Sequence, residues 1–213
     1  MKTTRIALFL GLAITGLAWF SQSESWKRAK AITGLQLKLE YTKGPAIEAK
    51  LEAKAKLARD YIKRKNFNDQ YCFLIDMSLP SGQNRFFIFD LKKDSLKNAS
   101  LVTHGNCFEY WLEGRRYSNV VGSGCTSLGR YRIGNSYYGK FGYSYKLYGL
   151  DTSNSNAFER TVVLHGHSCV SETEVVDDIC QSNGCPTVNP NFLTELKGII
   201  NNSRKPLLLW IYE

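Results

Sequence analysis

A chain of 213 residues is long enough for one domain with a sizeable core and a further segment at one end. Its net charge of +9 is placed unevenly: residues 1–70 hold 14 Lys and Arg against 6 Asp and Glu, and residues 71–213 hold 14 against 13. A nearly neutral main domain excludes a nucleic-acid reader, which carries its positive charge on the folded module, whereas the basic stalk suits an anionic membrane or wall surface.

The first twenty residues, MKTTRIALFLGLAITGLAWF, carry Lys2 and Arg5 and are then uncharged from Ile6 to Phe20. Charge followed by an apolar run is the order of an export signal, so residues 1–25 are expected to be a signal peptide or a membrane anchor. The run is short for a bilayer span and lacks a clean small-x-small cleavage site, which leaves both forms open. Residues 26–70 are expected to form a basic helical segment. Within it Gly44-Pro45 opens a stretch rich in Ala, Glu, Lys and Leu, where Ile47, Leu51, Ala55, Ala58 and Ile62 recur at three- and four-residue steps. That spacing predicts an amphipathic helix docked on a domain.

From Tyr71 onward the pattern changes to short β-branched and aromatic runs: YCFLIDM, RFFIFDL, ASLVT, GRYRIG, YSYKLYGL, TVVLH and PLLLWIY, parted by turn segments such as LPSGQN. One further helix, PNFLTELKGIINN, is entered through Asn189-Pro190. The expectation is a mainly β domain over residues 71–213, with an N-terminal amphipathic helix and a short C-terminal one.

The residues with chemistry are few. Of three histidines, His165 and His167 sit in TVVLHGHSC at a strand end, and Cys185 lies between Gly184 and Pro186 in QSNGCPTVNP. A thiol nucleophile needs a base such as imidazole, and a Ser-Asn-Gly-Cys turn can aim backbone N–H groups at an oxyanion. Six cysteines in an exported chain equally allow three disulfides. Two His and three Cys between HGHSC and CQSNGC allow a metal, although without a recognised ligand spacing. The residues alone leave Cys185 as nucleophile, disulfide half or ligand.

Taken in order, DMSLPS, RFFIFDL, VTHG, SLGRYRI, YYGKFGYSYKLYGLD, VVLHGH and SNGCPTV make residues 71–213 resemble the L,D-transpeptidase catalytic domain (YkuD-like), in a branch where Ser-Asn-Gly-Cys replaces Ser/Thr-His-Gly-Cys. Sixteen residues separate His165 from Ser182, a spacing that fits the family, while Asn183 stands where a second His is usual. The resemblance implies the family's β-sandwich or barrel-like catalytic fold and acyl transfer on peptidoglycan stem peptides. Cys185 would be the nucleophile and His165 the general base, with Ser182, Asn183 and Gly184 shaping the oxyanion turn. His104, Tyr138, Gly139 and His167 would contact substrate.

No metal or cofactor is called for, and carbapenems, which acylate the family's cysteine, would be inhibitors. The expected location is the periplasm or the outer face of the inner membrane, where the stem peptides are. With Cys185 given to chemistry, the expected disulfides are Cys107 with Cys125 and Cys169 with Cys180, leaving Cys72 as a buried thiol. Two other readings stay beside transfer: an L,D-carboxypeptidase that resolves the same thioester with water, and an inactive, fully bridged wall-binding module.

Overall fold

A computed structural model describes residues 44–213, so the expected signal or anchor and the rest of the stalk up to Lys43 lie outside the described residues. Pro45 opens helix α1 (Pro45–Lys65), its ring suiting the first turn, where no intrahelical N–H is required. The helix buries Leu51, Ala55, Ala58, Tyr61 and Ile62 in one cluster with Leu74, Phe87, Leu208 and Tyr212. A fully buried Leu or Ile contributes about 1.5–3 kcal/mol, so this face docks the helix. Lys54 adds its ammonium over the rings of Trp210 and Tyr212.

The apolar runs become β1 (Tyr71–Asp76), β2 (Phe86–Asp90), β3 (Ser95–Ser100), β4 (Gly129–Gly139), β5 (Gly142–Gly149), β6 (Val163–Gly166), β7 (Thr187–Val188) and β8 (Leu208–Tyr212). They form one mixed sheet in the order β3-β2-β1-β8-β4-β5-β6-β7, with β1–β8 and β6–β7 parallel. The third apolar run behaves differently from its neighbours. Its strand, β3, covers the polar residues before it, and Leu101-Val102-Thr103 instead crosses to the opposite edge. There Val102 bridges Val188 and the Thr103 N–H donates to the Thr187 carbonyl, so the two sheet edges are drawn together in a barrel-like manner.

Helix α2 (Pro190–Asn201) is capped by Asn189, whose side chain accepts the Asn191 N–H. Its Phe192, Leu193 and Leu196 pack with Tyr131, Ile133, Tyr145, Leu147 and Leu164 of the sheet. Side chains alternate along a strand, so α2 covers one face of β4–β6 and the residues between these core positions occupy the other face. Among the described residues no helix is long and apolar enough to cross a membrane.

Candidate active site

Strand pairing assembles the site. β6 and β7 are parallel and put His165 opposite Thr187, two residues beyond Cys185. Cys185 itself sits in a turn fastened from behind: the Ser182 N–H donates to the His104 carbonyl at 2.9 Å, and the Asn106 N–H to the Ser182 carbonyl at 2.7 Å. Within the turn the Ser182 hydroxyl donates to the Cys185 carbonyl at 2.7 Å and accepts the Gly184 N–H at 3.2 Å. Gly184 is obligatory here. Its φ is +103°, and a Cβ would come within 2.7 Å of the Cys125 carbonyl oxygen.

The two disulfides are Cys107–Cys125 and Cys169–Cys180, the pairing expected, with Cys72 buried and free and the Cys185 thiol free and half-buried. Both bridges frame the turn: Cys125 presents its carbonyl beneath Gly184, and Cys169 lines the cleft. Because Cys169 and Cys180 are joined to each other, they are not thiolate ligands for a metal. No group of three metal-ligating side chains occurs among the described residues.

Around Cys185 lies a cleft of about 210 Å³ lined by His165, His167, Ser182, Asn183, Thr103, Gln181, Thr187, Phe141 and Cys169. The Val163 N–H points at Cys185 Sγ from 3.5 Å. Burial raises the thiol pKa above its ordinary value, while this N–H and the Arg160 charge work in the opposite direction. Arg160 is fixed by the Ser118 and Cys125 carbonyls and by the Ser123 and Ser127 hydroxyls, so its charge is a stationary part of the site.

His165 is buried and makes two hydrogen bonds. Nδ1 faces the Gly166 carbonyl at 3.2 Å, which can only accept, so Nδ1 carries the proton and Nε2 accepts from the Thr187 hydroxyl at 3.0 Å. Phe141 stacks on the imidazole with centroids 4.4 Å apart and planes 15° apart. Burial lowers the His165 pKa, the Gly166 carbonyl opposes that shift, and His167 adds to it, so the ring is held as a neutral base.

The other expected contacts divide. His167 lines the cleft and accepts the Cys169 N–H through Nδ1 at 3.1 Å. The His104 side chain is not brought to the cleft: it is buried, and Arg85 Nη2 donates to its Nδ1 at 3.1 Å. Burial and that guanidinium push His104 down to about 4. Its contribution to the turn is made by its carbonyl. Tyr138 is 79% exposed at the β4–β5 hairpin tip, edge-on to Tyr143, and Gly139 pairs with Gly142 there, so neither lines the cleft. Their neighbour Phe141 does.

Thr187, Thr103, Gln181 and Arg160 were not singled out for roles by sequence reasoning. For Thr187 a signal existed, since a β-branched residue two places after the turn continues into a strand beside His165. Arg160 carried none, because only the fold brings it under the Gly184 turn.

A family model described as L,D-transpeptidase catalytic domain matches residues 44–212, and the chain belongs to that family. The match begins at α1. Among solved structures it is similar to the helical cell shape determining protein Pgp2 from Campylobacter jejuni (14% identity, 69% of this chain and 49% of that one, TM-score 0.42). It is also similar to an L,D-transpeptidase from Xylanimonas cellulosilytica (14%, 68% and 61%, 0.37) and to LD transpeptidase LdtMt1 in complex with imipenem (10%, 68% and 60%, 0.41). The chain spans about half to three-fifths of the length of these structures. No curated protein matches it.

Proposed function

We propose that the chain is a cysteine-dependent L,D-transpeptidase acting on peptidoglycan stem peptides. The observation that carries this reading is a free Cys185 thiol in a glycine turn, sharing one cleft with a neutral, buried His165. In this reading Thr187 turns its hydroxyl from His165 Nε2 to the Cys185 carbonyl, which it already approaches at 3.4 Å. The freed Nε2 lone pair takes the thiol proton as Sγ bonds to the carbonyl carbon before the terminal D-Ala. The oxyanion is assigned to the Cys185 N–H, because Ser182 holds that of Gly184.

Collapse of the tetrahedral adduct breaks the C–N bond, His165 returns its proton to the departing D-Ala amine, and a thioester remains. An acceptor amine, losing its proton to His165, attacks the thioester and releases the thiol. Ser182, Asn183 and Gly184 shape the turn, and His167, which lines the cleft, contacts the donor stem. The substrate lies outside the cytoplasm, so export by the N-terminal segment to the periplasm or the outer face of the inner membrane is part of the proposal, as is its apposition to an anionic surface.

The test is intact-mass analysis of the protein with a carbapenem. Wild type should gain one equivalent, Cys185→Ala none, and His165→Ala the same adduct far more slowly. An unmodified wild type with Cys185 oxidised to a neighbouring cysteine would reject the enzyme reading. Acylation with tetrapeptide trimming but no cross-linked dimer would instead assign hydrolysis.

A further inference from the structure

On the face of β4–β6 opposite α2, Arg132 and Tyr148 are cross-strand partners, and Lys146 stands opposite Val163 on β6. Tyr145 and Leu147 belong to the α2 side, so alternation sends Lys146 and Tyr148 the other way. There the Arg132 guanidinium lies 4.1 Å from the Tyr148 ring centroid, and Tyr148 stacks on Phe158 at 5.1 Å with planes 10° apart. The Lys146 ammonium lies 5.7 Å from both the Phe158 and the Tyr137 ring centroids.

Tyr148, held between Arg132 and Phe158, is the support. Phe158 and Tyr137 are the rings that meet solvent, at 55% and 36% exposure. They flank one cation within reach of a disaccharide. The strip continues into the site: Val163, opposite Lys146, supplies the N–H facing Cys185 Sγ, and Ser144, two residues before Lys146, pairs with His165.

We propose that this strip binds stretches of the wall's glycan strand whose muramic residues carry no stem, so that their lactyl carboxylates are free, alongside the stem peptide that enters the cleft. An aromatic face is electron-rich and accepts the C–H-bearing face of a sugar ring, and a cation between two such rings meets a carboxylate. Both charged members of the strip, Arg132 and Lys146, are positive, which complements that ligand. The inference rests on reading the site as one that handles wall peptides. Exposed rings and a cation in register with Val163, whose N–H faces the thiol, extend the substrate beyond the stem.

Calorimetric titration of the full chain with glycan strands of alternating N-acetylglucosamine and N-acetylmuramic acid, stripped of their stems so that the lactyl carboxylates are free, tests it. Wild type should bind. The pair Phe158→Ala with Tyr137→Ala should weaken binding about tenfold, whereas Phe158→Tyr retains it. Lys146→Ala should weaken it and flatten its salt dependence. A chitin oligosaccharide of equal length, lacking carboxylates, should bind more weakly than the strands.

No binding by wild type, full affinity in the double variant at unchanged Tm, or equal affinity for chitin would overturn the inference. The same wild-type preparation is treated with a carbapenem. Acylation without strand binding removes this inference alone, and strand binding without acylation removes the transpeptidase reading and leaves a wall-glycan surface.

Discussion

Phe141 covers one face of the His165 imidazole and excludes water from it. Replacing it with Ala admits water, so the His165 pKa should rise toward the ordinary value of 6.5, which NMR titration of the imidazole would register. The acid limb of carbapenem acylation should move to higher pH with it, because a base protonated earlier is lost earlier. Phe141→Leu, which keeps the ring covered, should restore most of the shift. An unmoved titration in the Ala variant would mean that the stacking is incidental. At Gly184 the constraint is steric: Gly184→Ala places a methyl against the Cys125 carbonyl at a φ that L-residues avoid. It should cost about 1–3 kcal/mol, read as a lowered denaturation midpoint, and acylation of Cys185 should fall with it.

At the scale of elements, two disulfide-closed loops meet behind and beside the nucleophile turn. Cys169–Cys180 spans 11 positions, and its loop carries Val170 and Ile179 into a small cluster with Leu101. Replacing both cysteines with Ser should lower stability by about 2–4 kcal/mol in urea, through the freedom regained by the unfolded chain and through loosening of the segment between His167 and Gln181. An unchanged midpoint would show that Leu101, Val170 and Ile179 alone hold the loop. The β4–β5 hairpin works differently: its tip carries Tyr138 outward and Phe141 inward, so one short turn serves both solvent and the His165 ring.

Over the whole molecule, the dependence of stability on pH should carry the signature of His104. Its folded pKa of about 4 lies below the ordinary 6.5, so between these values the unfolded chain binds more protons and stability is lost as pH falls. Asp151 and Asp178, whose folded pKa values are lowered, add their losses at lower pH, below the ordinary 3.8. Thermal melts should therefore decline from pH 6.5 toward 4, and His104→Gln should flatten that slope whatever its melting temperature at neutral pH. A slope unaltered in the variant would place the acid sensitivity elsewhere.

The β-rich texture and both helices were legible in the sequence through local periodicity and turn chemistry, whereas the two free cysteines, Cys72 and Cys185, and the placing of His165 and Cys185 in one cleft were legible only through the order of motifs that carries the family resemblance. Asn189-Pro190 announced α2 through its own capping bond, and the apolar steps from Ile47 to Ile62 announced the face that α1 buries. What only the tertiary structure decided was which side chains meet. His104 reads like a cleft residue, yet the crossing of Leu101–Thr103 to β7 turns its ring toward Arg85 and leaves only its carbonyl to the turn. Arg160 comes under the Gly184 turn and Phe141 onto the His165 imidazole from separate segments, through packing between residues distant in the chain. Those contacts are non-local, and no local pattern of residues encodes them one at a time.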